Sequence, residues 1–360
     1  MNNTKEDVKL WKNYKIKIAN IRSGGGSFYN LLNKDIKELN TAILSLFIII
    51  FLFSVGFISY KINNSYALFS DSIEGTKTIN LEIKFPFLTK TIIENSGKNG
   101  ETEKLSQPAT TQIQATNEYR YRGINVNNYI IFNNELWRII GVFTVEDENG
   151  NLAQMTKIIK DDLIQETYVY DESSNNWENS SLSKYLNNDY YSKINNNYKS
   201  LIAKVKYYLA SSTNTYTTTN EIYELERGTT TATGNPKNIY QKIGIMYASD
   251  YGYAAPSNCD TTNLFNYDTS CYQNDWLFKN IENSDSRIEW VINHYTGSSN
   301  AAWEIVLITS GTYSVKGKVT ESAGVYNKNH IRPTLYLKNT TKIKNGTGTK
   351  QNPYELITNW

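Results

Sequence analysis

The sequence predicts a single-span membrane protein whose extracellular part is an α+β domain, a mostly antiparallel twisted sheet with two helices. Three patterns lead to this class. Residues 41–60 form an apolar run without acidic or basic side chains, strand-like stretches separated by turns recur after residue 119, and two later stretches have apolar residues at helical spacing. Alternation with a period of two indicates strands, whereas spacings of three and four indicate helices. Strands and helices that follow one another in separate groups are typical of α+β domains.

The apolar run has the length of a membrane span, because residues 41–60 at about 1.5 Å per residue cover about 30 Å. Basic side chains outnumber acidic ones in residues 1–40, whereas Lys61 is the only base between the run and Asp71. Basic flanks stay in the cytoplasm, so the N-terminus is predicted inside and the C-terminal part outside. A cleaved signal peptide has the same polarity but a shorter apolar core. The pattern favours an uncleaved anchor and leaves cleavage open.

Two short regions precede the main domain. In residues 61–89, apolar side chains alternate with polar ones up to Ile83, which is typical of extended structure. Residues 90–118 contain glycines, Pro108 and many threonines and glutamines, a composition that predicts a linker. The predicted divisions are a basic cytoplasmic tail, a transmembrane helix, an extended segment, a linker, a surface domain and a C-terminal hairpin, at residues 1–40, 41–60, 61–89, 90–118, 119–338 and 339–360.

Strand patterns dominate the predicted surface domain. Two strands, at residues 129–132 and 135–140, flank Asn133 and Asn134. Asparagine tolerates the positive φ of a tight two-residue turn, so this stretch predicts a hairpin. A turn at residues 148–151 adds a third strand to a meander. The further predicted strands lie at residues 243–246, 287–293, 302–309, 313–319, 331–338 and, as a closing hairpin, 343–356.

Two short helices are predicted between these strands. The first follows a polar stretch at residues 179–181 that can supply an N-cap, and the second begins about ten residues later. Their apolar faces comprise Leu182, Tyr185, Leu186 and Tyr190, and then Tyr198, Leu201, Ile202 and Val205. Residues 210–238 are rich in threonine without a readable period, and they predict a long loop excursion.

Several conspicuous side chains have a structural interpretation. Five tryptophans are predicted to pack in the core, because such rings dominate interior energetics. They are Trp137, Trp177, Trp276, Trp290 and Trp303. Arg332 is interpreted as a structural arginine bonded to carbonyls or a carboxylate, and Asp250 as a helix cap or turn former. His294 and His330 have no nucleophile or carboxylate at diagnostic spacing.

Cys259 and Cys271 are the only cysteines of the chain. Because both fall in the part predicted to be extracellular, an oxidising environment favours a disulfide between them. Two cysteines with two distant histidines provide too few ligands for a zinc site. A catalytic thiol, which would leave the other cysteine idle, stays open as the alternative.

A loop beside Cys259 is the predicted ligand site. Tyr247, Tyr251 and Tyr253 crowd it, and the disulfide would hold it rigid, which favours recognition. Trp276 is a fourth candidate contact. The net charge of the chain is only +2, and the part after residue 60 is slightly acidic. Nucleic acid is therefore not expected as a partner, since its binding needs a basic face.

Residues 177–187, Trp-Glu-Asn-Ser-Ser-Leu-Ser-Lys-Tyr-Leu-Asn, resemble a motif in a domain of unknown function on surface proteins of AT-rich Gram-positive bacteria. Further motifs of that domain are matched at residues 137–140, 276–277 and 331–335, so the resemblance covers residues 119–338. It implies a binding module with two helices on a twisted sheet, distantly similar to C-type-lectin-like and formylglycine-generating-type folds. A shorter likeness, at residues 65–84, resembles the start of mature camelysin-type fibre proteins.

These patterns predict a membrane-anchored extracellular binding or adhesion module of a bacterial cell surface, and not an enzyme. The expected partners are the membrane and either a cell-wall glycan or another surface protein. The calcium triplets of sugar-binding lectins are absent from the sequence, and neither a metal nor a cofactor is expected. Two alternatives are a structural surface or fibre component, suggested by residues 65–84, and a thiol enzyme that uses Cys259 or Cys271.

Overall fold

The computed structural model describes residues 67–68, 82–214, 216–279, 287–310 and 313–358. The chain divides into two compact units, Met1–Lys84 and Phe85–Trp360. In the first unit, the described strands β1 (Ala67–Leu68) and β2 (Glu82–Ile83) pair antiparallel.

The second unit consists mainly of strands. They are β3 (Glu103–Gln107), β4 (Thr116–Arg120), β5 (Tyr129–Phe132), β6 (Glu135–Glu146), β7 (Leu152–Lys160), β8 (Tyr168–Val169), β9 (Ile202–Ala203), β10 (Val205–Tyr208), β11 (Asn238–Gln241), β12 (Ile243–Gly244), β13 (Arg287–His294), β14 (Ala301–Ser310), β15 (Tyr313–Gly324), β16 (Lys328–Asn329), β17 (Thr334–Leu337), β18 (Ile343–Asn345) and β19 (Glu355–Leu356). Its α-helices are α1 (Leu88–Asn95), α2 (Ser181–Tyr185), α3 (Tyr191–Lys193), α4 (Asn196–Lys199), α5 (Thr219–Glu226), α6 (Ala248–Gly252), α7 (Thr269–Tyr272) and α8 (Trp276–Lys279).

An eight-stranded antiparallel sheet organises this unit. Its strand order is β12-β17-β7-β6-β4-β3, with β5 added to β6 and β9 added to β17. The long β6–β7 hairpin forms its centre, where consecutive residues on both strands are buried and the paired Ile139 and Ile158 are fully buried. Gly141 lies at a bulge in β6, where an added Cβ would come within 2.3 Å of the Tyr119 carbonyl oxygen. Only glycine permits this close approach of β4 to β6.

The hairpin predicted at residues 129–140 is confirmed. Strands β5 and β6 pair from Phe132↔Glu135 outward, and the turn residues Asn133 and Asn134 have φ of 53° and 62°. Both values lie in the left-handed region that a tight hairpin turn requires.

Smaller sheets surround the central one. Strands β13, β14 and β15 form a three-stranded antiparallel sheet, and β8–β16, β10–β11 and β18–β19 form two-stranded pairs. The strands predicted near residues 287–319 are confirmed, and so is the closing hairpin, which appears as β18–β19.

The predicted class of a single-span α+β protein requires correction. The structure is rich in β-strands with few helices, of which α1 and α5, at 8 residues each, are the longest in the described part. No helix among the described residues has the length and apolarity needed to cross a membrane. The segment predicted to do so, residues 41–60, lies outside the described residues.

Two local predictions were also wrong. Residues 90–118 are not a linker, because they contain most of α1, all of β3 and the start of β4, which extend the central sheet. The second predicted helix is only α4, and the apolar residues after it lie in β9 and β10. The spacing of these apolar residues is compatible with a helix, but strands form because β9 pairs with β17 and β10 pairs with β11.

The predicted tryptophan core is confirmed, since all five rings are at most 1% exposed. Arg332 also has the predicted structural role. Its Nε and Nη2 donate to the two carboxylate oxygens of Glu289 at 2.8 and 2.9 Å, and Nη2 also donates to the Leu277 carbonyl at 3.2 Å.

Candidate functional site

The tyrosines of the predicted ligand loop lie in the interior. Tyr251 is part of helix α6, Tyr247 and Tyr253 flank that helix, and all three are at most 2% exposed. Their hydroxyls have internal partners: Tyr247 accepts from the Tyr208 amide at 2.8 Å, and Tyr251 donates to the Gly317 carbonyl at 2.8 Å. A buried tyrosine hydroxyl needs a hydrogen-bond partner, and backbone groups of the interior supply one to Tyr247 and one to Tyr251.

Trp276 is likewise buried at the start of α8. Its indole Nε1 donates to the Tyr121 carbonyl at 2.9 Å, and the guanidinium of Arg138 lies 4.7 Å from the ring centroid. The ring therefore joins α8 to the chain that leaves β4.

The predicted disulfide between Cys259 and Cys271 is confirmed. It joins a short turn at Ser257–Cys259 to α7, and both cysteines are buried. In this state neither sulfur is a thiol, so neither is available as a nucleophile.

A buried ionic cluster lies where the predicted loop was expected to bind a ligand. At its centre, Asp250 accepts from Arg120 Nη1 at 3.1 Å through one oxygen and from Lys157 Nζ at 2.5 Å through the other. Arg120 Nε also donates to Glu118 at 2.8 Å, and Tyr223 donates to that same carboxylate at 2.7 Å. Arg120, Lys157 and Asp250 are each at most 1% exposed.

Asp250 also confirms its predicted role as a helix cap, because its carboxylate accepts the Tyr247 amide at 3.1 Å at the start of α6. Burial would raise the pKa of this carboxyl, but the adjacent ammonium of Lys157 and guanidinium of Arg120 outweigh burial and hold the pKa below its ordinary value. The carboxylate therefore stays ionised.

A third carboxylate extends the cluster. Glu226 accepts from the Ser249 amide and from Arg227 Nη1, both at 3.0 Å, and Asn293 donates to it at 3.1 Å. The Arg227 guanidinium lies 3.6 Å from the centroid of the Tyr223 ring. With charges paired inside the core, this cluster can hold β4, β7, α5 and α6 together but has no exposed group to offer a ligand.

An open cleft of about 760 Å³ lies elsewhere, between β11 and the helical segment α2–α3. A π-helical turn at Leu186–Tyr190 connects α2 to α3. The strand side contributes all of β11 and Lys242, and the helical side contributes Lys184, Asn187, Asn188 and Tyr191. Ligand sites in proteins commonly have volumes of about 300–1,000 Å³, so this cleft is large enough for one.

Two hydrogen bonds of Gln241 hold the walls in place. Its Oε1 accepts from Trp177 Nε1 at 3.0 Å and from the Ser183 hydroxyl at 3.4 Å, which ties β11 to the start of α2. Helix α2 begins there because the Ser180 hydroxyl caps the Ser183 amide.

Half-buried tyrosines and lysines form the polar lining of the cleft. Lys242 Nζ lies 2.9 Å from the Tyr191 hydroxyl and 4.2 Å from the centroid of that ring. On the outer face of β11, the Tyr240 hydroxyl donates to Glu146, which also accepts from Lys206 at 2.6 Å. The hydrogen bond from Lys206, followed by that from Tyr240, lowers the pKa of the Glu146 carboxyl.

Two of the lysines at the cleft have no acidic partner among the described residues. Lys204 pairs with Glu148 at 2.9 Å, whereas Lys184 and Lys242 form no ion pair within the part of the chain that the structure describes. Glu178 is the remaining acidic residue of the lining. The charged residues of the lining are three lysines and two glutamates, so the cleft has an excess of one positive charge.

A smaller cavity of about 430 Å³ borders α5. Four of its ten lining residues are threonines, and Glu221 and Glu224 are its acidic residues. Glu221 is engaged in capping α5, because its carboxylate accepts from the Thr218 amide at 2.8 Å. This cavity therefore presents fewer free polar groups than the cleft along β11.

The histidines do not form a metal centre. His294 is buried and accepts the Ala232 amide through Nε2 at 3.0 Å, and burial lowers its pKa to about 4. Within residues 82–214, 216–279, 287–310 and 313–358, no group of three or more histidine, cysteine, aspartate or glutamate side chains is arranged to hold a metal ion.

Residues 153–339 match the family model of a domain of unknown function, DUF6273. The chain belongs to the DUF6273 family. The DUF6273 match includes both walls of the cleft, the disulfide and Asp250, whereas β3–β6 precede it. Searches of curated proteins and of solved structures found no match to this chain.

Sequence reasoning did not single out the cleft residues of this DUF6273 chain. Lys184 lies in the motif at residues 177–187. The motif does not indicate that Lys184 lies across a cleft from β11, which follows about 50 residues later in the chain. The alternation of Asn238, Tyr240 and Lys242 with apolar Ile239 and Ile243 was the available signal for a half-exposed strand.

Proposed function

We propose that this protein is a non-catalytic binding module that acts outside the cytoplasm and holds its ligand in the cleft between β11 and α2–α3. The observation that carries the proposal is the lining of that cleft, where Tyr191, Tyr240 and the unpaired Lys184 and Lys242 are accessible. Tyrosine combines a large apolar face with a polar tip, and such side chains are enriched where proteins recognise partners.

Two further features support this proposal. The Cys259–Cys271 disulfide suits an oxidising compartment, and the sequence resemblance is to surface-protein domains of Gram-positive bacteria. The cleft also has no activated nucleophile: Ser183 donates to Gln241, and no histidine or carboxylate among the described residues hydrogen-bonds to its hydroxyl. The partner class is another surface protein or a wall polymer.

Binding assays with the purified full-length chain test the proposal. Two probes represent the two partner classes: insoluble peptidoglycan with its attached polymers, assayed by co-sedimentation, and a displayed library of random seven-residue peptides. The double variant Lys184→Glu with Lys242→Glu reverses one lysine charge on each wall of the cleft. The matched control Lys328→Glu with Lys338→Glu makes the same charge change at exposed lysines outside the cleft.

We expect the wild-type chain to bind one of the two probes and the cleft variant to lose at least about tenfold in affinity, which corresponds to about 1.4 kcal/mol. The control variant is expected to bind like the wild type. The proposal fails if the wild type binds neither probe, or if both variants lose affinity equally.

A further inference from the structure

We infer that the cleft binds an extended, acidic peptide segment of a partner protein, which adds as a new strand to the free edge of β11. This inference rests on the proposed function, because it assigns a ligand class and a binding geometry to the same cleft. The backbone of β11, rather than its side chains, defines the edge to which such a segment would add.

Strand β11 has one neighbour, β10, in a two-stranded sheet. The Leu209 amide donates to the Lys237 carbonyl at 2.7 Å, and this bond sets the alternation of the antiparallel ladder. Ile239 and Gln241 therefore direct their backbone groups toward β10, whereas Asn238 and Tyr240 direct theirs to the opposite side. No backbone hydrogen bond joins these outward groups to another residue of the described chain.

The neighbouring edges are closed by side chains. On β10, the Tyr208 amide donates to the Tyr247 hydroxyl at 2.8 Å. Just beyond β11, the Asn187 side chain accepts from the Ile243 amide at 3.1 Å and donates to the Ile243 carbonyl at 2.9 Å. Proteins usually protect strand edges in this way. The opening at Asn238–Tyr240 is therefore a local exception, and it lies along the cleft.

The cleft follows the edge of the strand and not one of its faces. All four residues of β11 and Lys242 line it, although successive side chains of a strand point to opposite faces. Outward amide and carbonyl groups of Asn238 and Tyr240 are spaced for a second strand, and an extended peptide offers the complementary groups. A glycan would instead depend on side-chain contacts.

Charge selects among peptides. Lys184 and Lys242 have no acidic partner in the described structure, and Lys242 is positioned against Tyr191. Glu178 is the one lining carboxylate outside the Lys204–Glu148 pair. A peptide with acidic side chains toward the helical wall complements this surface, and β-branched residues suit the strand conformation.

Proline substitutions test the geometry, because proline removes a backbone donor and is tolerated on an edge strand whose amide is not in the ladder. The variants are Asn238→Pro and Tyr240→Pro. Their matched controls, Asn238→Ala and Tyr240→Ala, remove the same side chains but keep the backbone amide. Thermal unfolding of each full-length variant verifies that it is folded.

Binders are selected from the displayed seven-residue library on the full-length wild-type chain, then synthesised with a fluorescent label for anisotropy titration. We expect the selected peptides to be enriched in acidic and β-branched residues. Each proline variant should bind at least tenfold more weakly than the alanine variant at the same position, because the two differ in the backbone amide. Peptides N-methylated at alternate residues should lose at least tenfold on the wild-type chain, which provides a measurement independent of any variant.

Three other outcomes overturn the inference. If proline and alanine variants bind alike and N-methylation has no effect, strand addition is excluded. If that result accompanies loss of binding in the Lys184→Glu, Lys242→Glu variant, the cleft still binds and the proposed function survives. If only peptidoglycan binds, the ligand is a glycan and not a peptide. If no cleft variant changes the affinity for any ligand, the proposed function is excluded as well.

Discussion

The buried cluster around Asp250 and the cleft along β11 contain the same kinds of side chain but differ in what their polar groups contact. In the cluster, Asp250 accepts from both Arg120 and Lys157, and each is at most 1% exposed. In the cleft, Lys184 is exposed, and Tyr191 and Tyr240 are half-buried. Both regions combine tyrosine rings with lysine or arginine, so composition does not distinguish them.

The two regions differ in whether their charged groups are paired inside the protein or remain accessible to a ligand. A buried charge must be paired inside the protein, so the cluster uses its charges to hold β4, β7 and α6 together. An exposed charge interacts with water at little cost and remains available to a ligand. Side chains of the first region should therefore matter for stability, and those of the second for binding.

The largest expected effect is at the centre of the cluster. Asp250→Ala leaves Arg120 and Lys157 buried without their shared acceptor, and removing one partner of a buried ion pair typically costs about 3–5 kcal/mol. We expect a decrease of that size in the free energy of unfolding, measured by chemical denaturation of the full-length chain.

The matched control is Glu148→Ala, which breaks the accessible pair with Lys204. Exposed pairs contribute about 0–1 kcal/mol, so this variant should unfold close to the wild type. Similar losses in the two variants would show that the cluster has no special role in stability.

A smaller effect is expected on acidification, through His294. Burial lowers its pKa from 6.5 to about 4, so the unfolded chain binds a proton below pH 6.5 that the folded chain does not. This contribution to stability is fully present above pH 6.5 and is lost as the pH falls toward 4. Between pH 7 and 5.5, it should decrease the free energy of unfolding by about 1 kcal/mol.

Denaturation curves at these two pH values, for the wild type and His294→Gln, measure this loss. Glutamine keeps an acceptor for the Ala232 amide but does not titrate, so its curves should shift less. An equal pH dependence in wild type and His294→Gln would exclude His294 as its source.

The smallest expected effect on stability is in the cleft. Lys242→Ala removes a half-buried side chain that contacts Tyr191, and such surface changes usually alter the free energy of unfolding by less than about 0.5 kcal/mol. The same variant should weaken ligand binding. A loss of stability above about 1.5 kcal/mol would instead place Lys242 among the structural residues.

Local features of this chain were predictable where neighbouring residues determine them. The turn at Asn133 and Asn134, the short disulfide loop and the buried tryptophans depend on backbone preference, chain proximity and side-chain size. The position of Arg332 before Pro333 favours a structural arginine bonded to carbonyls or a carboxylate, and Glu289 is that carboxylate.

Other features needed information from distant parts of the chain. The stretch at residues 210–238 contains α5. Thr218 and Glu221 form a capping box at its start, which is a sequence signal for a helix within a threonine-rich stretch. The polar composition of residues 90–118 predicts a linker. This stretch nevertheless contains β3, which joins the central sheet by pairing with β4.

By itself, the sequence determined the hairpin turns, most of the strands, the cysteine pair and the side chains that must be buried, because these follow from backbone preference, chain distance and hydrophobicity. Only the tertiary structure decided that Tyr247, Tyr251 and Tyr253 lie inside, and that an unpaired edge of β11 faces a helix some 50 residues earlier in the chain. Burial and edge pairing are properties of contacts between distant segments, and no local pattern of residues encodes which segments meet.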